Sequence, residues 1–153
     1  MSVLASFLSK EYDAILVSGG ADGADTAFEK GCNAVKGRKE IWLPEKGFNG
    51  RTSEFIGASK DAYIVAERYV GHWKNCKAWA RAAHARNCHQ VLGADLVTPV
   101  SFVIAWTPEG KLSGGTATAL SIAMDKGIPI LNLGTKDYDE IELWEFLEPI
   151  VSV

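Results

Sequence analysis

Cysteine is scarce in this sequence, and so are proline, long apolar runs and any excess of one charge. The three cysteines among 153 residues, Cys32, Cys76 and Cys88, are an odd set at no disulfide-like spacing. That excludes a disulfide framework and leads us to expect reduced thiols in a cytoplasmic protein. Five prolines are too few for a proline-rich linker. A net charge of −3, from 16 basic and 19 acidic residues, excludes a strongly basic coat for nucleic acid. No apolar run approaches the ~18 residues of a membrane-crossing helix, so no membrane partner is expected. The opening MSVLASFLSKEYD has no basic leader and no clear cleavage site, and it reads as a short helix rather than a signal peptide.

What is present is an ordinary globular composition, 47% hydrophobic and 23% charged, which argues against disorder. The length fits one domain, at roughly 100–200 residues per domain, spanning residues 1–153. The fifteen glycines gather mainly in two clusters, and these are the most informative parts of the chain.

Periodicity predicts helices over 2–11, 23–36, 59–70, 74–92, 115–126 and 138–151. Short apolar runs at 14–18, 40–43, 101–106 and 128–133 predict buried strands. Gly37 is the expected stop of the second helix, and Gly31 on its apolar stripe is expected to allow close approach to a sheet. Residues 44–58 form a loop too long for a simple connector. Strands alternating with helices predict an α/β fold, a parallel sheet of about four strands with helices on both faces. Ligands of such sheets bind beyond the C-terminal strand ends, where both glycine clusters fall.

The first cluster is Ser18-Gly19-Gly20-Ala21-Asp22-Gly23-Ala24-Asp25-Thr26, running from strand end to helix start. Glycines admit positive φ and bring backbone N–H groups close to a ligand, and a helix N-terminus adds unpaired donors. Two readings stand: an anion site suited to phosphate, or a tight turn with Asp22 or Asp25 capping the helix. Neither a dinucleotide fingerprint nor a Walker loop is present. The second cluster, Ser113-Gly114-Gly115-Thr116, also joins a strand to a helix. Two such loops after separate strands favour ligand binding by the pair.

Between them lies His84-Ala85-Arg86-Asn87-Cys88-His89-Gln90. Positions 76, 79, 80, 83, 87, 90 and 91 share one helical face, apolar at first and polar at Asn87 and Gln90, as if pointing into a site. Arg86 is a candidate for bidentate pairing with phosphate. The pattern His72-x3-Cys76 with His84-x3-Cys88-His89 does not match a closed zinc set, so no metal and no cofactor are expected. The five tryptophans read mostly as core, with Trp106, beside the second glycine loop, the candidate to stack on a base.

The segment VSGGADGADTA resembles the glycine-rich segment of DNA-processing protein A and its relatives. HARNCHQVLGADL is similar to the arginine–asparagine segment of small, often phage-borne members of the same superfamily. FVIAWTPEGKLSGGTATALSIAMDKGIPILNL resembles their C-terminal strand–loop–helix–strand. This superfamily joins DNA-processing protein A with the lonely-guy phosphoribohydrolases, and the resemblance covers roughly residues 13–133. It implies a three-layer Rossmann-like domain that binds nucleotides or nucleotide-derived ligands. By motif match, Gly19, Gly20, Gly23 and Asp25 take the first loop, Arg86 and Asn87 the next segment, and Gly114, Gly115 and Thr116 the second phosphate loop. With Ser18, Ala21, Trp106 and Ser113 these make the candidate ligand set.

The chain departs from the pattern in three ways. Ala119 stands where the hydrolases carry a catalytic glutamate, and Asp22 stands where the DNA binder carries an arginine. Relatives also begin with a strand, normally central, before the first helix seen here. Either the sheet is rearranged to four strands, or a partner chain completes it, and a homo-oligomer is expected. Nucleotide binding is therefore the leading expectation. One alternative is an N-glycosidic or phosphoribosyl hydrolase using a carboxylate, with Asp25 the candidate and Asp22 or Glu54 behind it. The other is a single-stranded DNA-binding module using Lys46, Arg51, Lys74, Lys77, Arg81 and Arg86, which the overall acidity disfavours.

Overall fold

The computed structural model describes residues 1–152. Helix α1 is Ser2–Tyr12, followed by strand β1, Leu16–Ser18, helix α2, Ala24–Ala34, and strand β2, Lys39–Ile41. After a long loop come α3, Lys60–Tyr69, and α4, Ala78–Leu92, separated by a 3₁₀ turn at Trp73–Asn75. The chain continues through β3, Val103–Ala105, α5, Thr116–Asp125, β4, Ile130–Asn132, and α6, Glu140–Val151. Every expected helix and strand is present; most are shortened, while α1 runs one residue further, to Tyr12, and β2 begins one residue earlier, at Lys39. Local signals set several boundaries: the Ser59 hydroxyl caps α3 by accepting from the Ala62 N–H, and Asp139 with Glu142 forms a reciprocal capping box on α6.

The fold is mixed α/β, but the four strands do not form one sheet. β1 pairs in parallel with β2, Leu16 opposite Lys39 through Ser18 opposite Ile41. β3 pairs in parallel with β4, Val103 opposite Ile130 through Ala105 opposite Asn132. Among the described residues no pairing joins the two. In a parallel ladder only alternate residues bond to a given neighbour. The Leu16 N–H bonds to the Arg38 carbonyl and the Ser18 carbonyl receives the Trp42 N–H, so the backbone groups of Val17 point away from β2. The bonds from the Val103 N–H to Pro129 and from the Leu133 N–H to Ala105 likewise leave those of Ile104 pointing away from β4. The edges carrying Val17 and Ile104 line a common cavity of about 1020 Å³.

Two helix groups flank the cavity. α1 packs on α2 so closely that a Cβ on Gly31 would lie 2.0 Å from the Ser2 carbonyl oxygen. Hydroxyls fasten this crossing, Ser2 to the Ala27 carbonyl and Ser6 to the Gly31 carbonyl. Gly31 thus serves a helix–helix approach, not the helix–sheet approach expected. The residue with positive φ after α2 is Lys36 rather than Gly37; Gly37 instead sits tight against Cys32 and Ser9. The main core lies among α3, α4 and α5, where Ala62, Ala66, Ala85, Cys88, Ile122 and Ala123 are fully buried. Small side chains let three helices approach, and Val91, Leu92 and Ile128 fill the remaining space. Among the described residues no helix is long and apolar enough to cross a membrane, and all three cysteines are free thiols.

Candidate functional site

The first glycine loop leaves the end of β1 and enters α2 at Gly23, the N-cap, where no side chain caps the helix. Asp25 folds back inside the loop and accepts from the Ala21 N–H at 3.1 Å. Thr26 donates to the Ala21 carbonyl at 2.9 Å. The helix cap expected of Asp22 or Asp25 is thus absent: Asp25 instead tightens the turn before the helix, and it also lines the cavity. The 44–58 loop lies over this turn. Asn49 donates to the Gly20 carbonyl, and Arg51 packs so close that a Cβ on Gly20 would lie 2.9 Å from its Cδ. Arg51 and Lys39 both pair with the buried Glu29 on α2. Burial raises the carboxyl pKa of Glu29, but hydrogen bonds and charge from Lys39 and Arg51 outweigh it and hold it below its ordinary value.

Arg86 is buried on α4. Its Nη1 donates to the Gly19 carbonyl at 2.6 Å and to the Trp42 carbonyl at 2.7 Å. Its Nε donates to Asn87 Oδ1 at 2.9 Å, and Asn87 Nδ2 donates to the Gly115 carbonyl at 2.8 Å. This chain of bonds ties the first glycine loop, the end of β2, helix α4 and the second glycine loop together. Bidentate phosphate pairing would require Arg86 to give up one of these bonds, so its placement is that of a clamp between the two loops. Gly19 permits it: a Cβ there would stand 2.8 Å from Arg86 Nη1. Desolvation lowers the Arg86 pKa, and the nearby Asp25 acts in the opposite direction.

The second loop follows β3. Asn132 braces its start, accepting from the Thr107 N–H and donating to the Thr107 hydroxyl at 2.7 Å. Gly114 has φ +66° and Gly115 is the N-cap of α5, again with no side-chain cap. A Cβ at Gly23, Gly114 or Gly115 would meet nothing within 4 Å, so open space lies over both helix starts. Ser18, Ala21, Asp25, Arg86 and Asn87 line the large cavity together with Trp106, Gly114, Gly115 and Thr116. The two uncapped helix N-termini thus face one space. Gly19, Gly20, Gly23 and Ser113 are not on its wall; Gly19 and Gly20 serve close packing behind it.

The α4 face bearing Trp79, Ala80, Ala83, Asn87 and Gln90 also lines the cavity, as expected of a face aimed into a site. Its apolar part is not core, since Trp79 is 71% exposed. Of the five tryptophans only Trp42 is buried, stacked on the ring of His89 at 4.7 Å. Trp106 is 49% exposed on the cavity wall, a position suited to stacking. Of the basic residues named for a DNA-binding patch, Arg51 pairs with Glu29, Arg81 donates to the Trp73 carbonyl and Arg86 is buried in the clamp.

One cluster is brought together by the fold alone. His72, Cys76 and His84 place one donor atom each within 4.8 Å of one another. His72 and His84 lie on the cavity wall. The spacing His72-x3-Cys76-x7-His84 is the only trace of it in the sequence, and it matches no standard pattern of paired knuckles. Burial and the neighbouring His72 hold the His84 pKa below its ordinary value. Compared with known protein families, with curated proteins and with solved structures, the chain matches none.

Proposed function

We propose that this chain binds a nucleotide or nucleotide-derived ligand in the cavity where its two glycine loops meet. The observation that carries the reading is convergence. Two loops 95 residues apart in sequence, from Ala21 to Thr116, present uncapped helix starts to one cavity. The first-turn N–H groups, apart from that of Ala117, which bonds to the Gly114 carbonyl, and the helix dipoles favour a phosphate there, each dipole contributing about 0.3–1 kcal/mol. Trp106 offers a ring to a base, and Asn87 offers an amide anchored on the second loop. The cavity is roomy enough for a drug-sized ligand, for which pockets run to about 300–1,000 Å³.

The same reading takes the two parallel strand pairs as halves of one three-layer, Rossmann-like sheet. It also takes the chain to be cytoplasmic and to self-associate, a partner copy completing the sheet between the facing edges of β1 and β3, because such edges invite pairing. Sedimentation velocity tests the association, and a monomer at all concentrations refutes it.

The binding test is a thermal-shift screen of mono-, di- and cyclic nucleotides, paired with native mass spectrometry of the purified chain. A stabilising nucleotide, or one that co-purifies, supports the proposal. No shift and no bound small molecule refute it. If free base is released during the screen, Asp25 becomes the candidate carboxylate of a hydrolase.

A further inference from the structure

We infer that His72, Cys76 and His84 form a binding site for a divalent transition-metal ion of the zinc type, with its fourth position open to the cavity. The inference stands apart from nucleotide binding and fails or holds on its own. Three features beyond proximity support it.

The first is the donor set. Two imidazole nitrogens and one thiolate are soft and borderline ligands that suit zinc, and three protein ligands leave one position for water or a ligand oxygen. Bonds of about 2.0–2.3 Å place tetrahedral ligand atoms roughly 3.4–3.6 Å apart. The observed spacing, within 4.8 Å, is near this, and the exposed His72 side chain has room to turn.

The second feature is support behind the ligands. His84 Nδ1 is held at 2.7 Å by the hydroxyl of Thr118, which is 3% exposed on α5. That fixes the ring and leaves Nε2 for a metal, with Nδ1–H donating to Thr118, as metal-binding histidines usually require.

The third is rigidity of the turn that carries the other two. His72 and Cys76 bracket the 3₁₀ turn Trp73–Asn75. Arg81, three residues before His84 on α4, donates from Nε and Nη2 to the Trp73 carbonyl at 3.2 and 3.0 Å. Its guanidinium also lies over the Trp73 ring at 5.3 Å. One helix thus supplies a ligand and anchors the turn bearing the other two.

Binding forms a metal–sulfur bond, and the Cys76 thiol proton leaves to solvent. His72 and His84 line the same cavity as Gly114 and Thr116, which puts the proposed open position on the cavity side of the site.

The experiment is a cobalt titration of the full chain, without a histidine tag, freed of metal and kept reduced. One equivalent of Co²⁺ should give a thiolate-to-cobalt charge-transfer band and the visible bands of a tetrahedral site. One equivalent of Zn²⁺ should abolish both. Cys76→Ser should lose the charge-transfer band, and His72→Ala should lose the tetrahedral spectrum. Both residues lie near the surface, and circular dichroism should confirm that both variants stay folded. Thr118→Val should retain the spectrum with metal affinity weakened about 10–100-fold. No charge-transfer band at one equivalent, or a band that survives Cys76→Ser, overturns the proposal.

Discussion

Replacing Arg86 with alanine is expected to unlatch both glycine loops at once. The guanidinium serves the Gly19 and Trp42 carbonyls through Nη1 and Asn87 Oδ1 through Nε. Hydrogen bonds from a charged donor contribute about 1.5–3 kcal/mol each, and a buried acceptor left bare costs about 1–3 kcal/mol. Water entering from the adjoining cavity recovers part of this loss. The guanidinium's own desolvation cost also disappears. The net expectation is a loss of about 3–5 kcal/mol. At about 2–4 °C per kcal/mol for a chain somewhat above 150 residues, the Tm falls by roughly 10 °C. Arg86→Lys keeps the charge, but its compact ammonium cannot span all three acceptors, so it should recover less than half of the loss. Gly19→Ala should act on the same bonds by pushing its new Cβ against Nη1, so the double variant should lose less than the sum of the singles. Calorimetry and urea titration measure these changes. If Arg86→Ala kept its Tm within about 2 °C of the parent while nucleotide binding vanished, the clamp reading would be wrong. Arg86 would then be a ligand contact, as its sequence setting first suggests.

Gly115→Val should cost no more than about 1 kcal/mol of stability, the loss of a favourable N-cap residue, because Gly115 has φ −64° and open space around it. It should nevertheless weaken nucleotide binding by filling the space over α5, which titration calorimetry measures. Glu29 should give the chain an acid-sensitive latch. Its native pKa lies below the ordinary 4.5, so its contribution is present at neutral pH and drains away as pH falls through the native value. Glu29→Gln should cost about 2 kcal/mol at pH 7. It should also flatten the fall in Tm below pH 4.5, and an unchanged acid slope would refute the latch. Trp106, half exposed on the cavity wall, should report ligand directly. Trp106→Phe should remove most of a nucleotide-induced change in tryptophan fluorescence while keeping most of the affinity. A full signal in that variant would place the base elsewhere.

Secondary structure was legible because each element carries a local signal. The Ser59 and Asp139 caps, the glycine-ended strands and the alanine-rich α5 all report on neighbours a few residues away. The cavity-facing side of α4 was legible too, since a helix repeats its faces every 3.6 residues. The expectation that the tryptophans are mostly core fails, Trp79 among them, because periodicity identifies a common face without saying whether that face meets protein or open space. The roles of Arg86, Gly19 and Gly31 were not legible. Each depends on atoms of distant residues: the Gly19 and Trp42 carbonyls for Arg86, Nη1 of Arg86 for Gly19, the Ser2 carbonyl for Gly31.

The sequence by itself determined which stretches are helix and strand, and that both glycine loops open helices. Those choices follow from propensity, capping and backbone freedom within a few residues. Only the tertiary structure decided that the strands pair two by two around a cavity, that Arg86 clamps the two loops, and that His72, Cys76 and His84 converge. These depend on where separate elements come to rest in space, which packing and long-range hydrogen bonds set and no local pattern encodes.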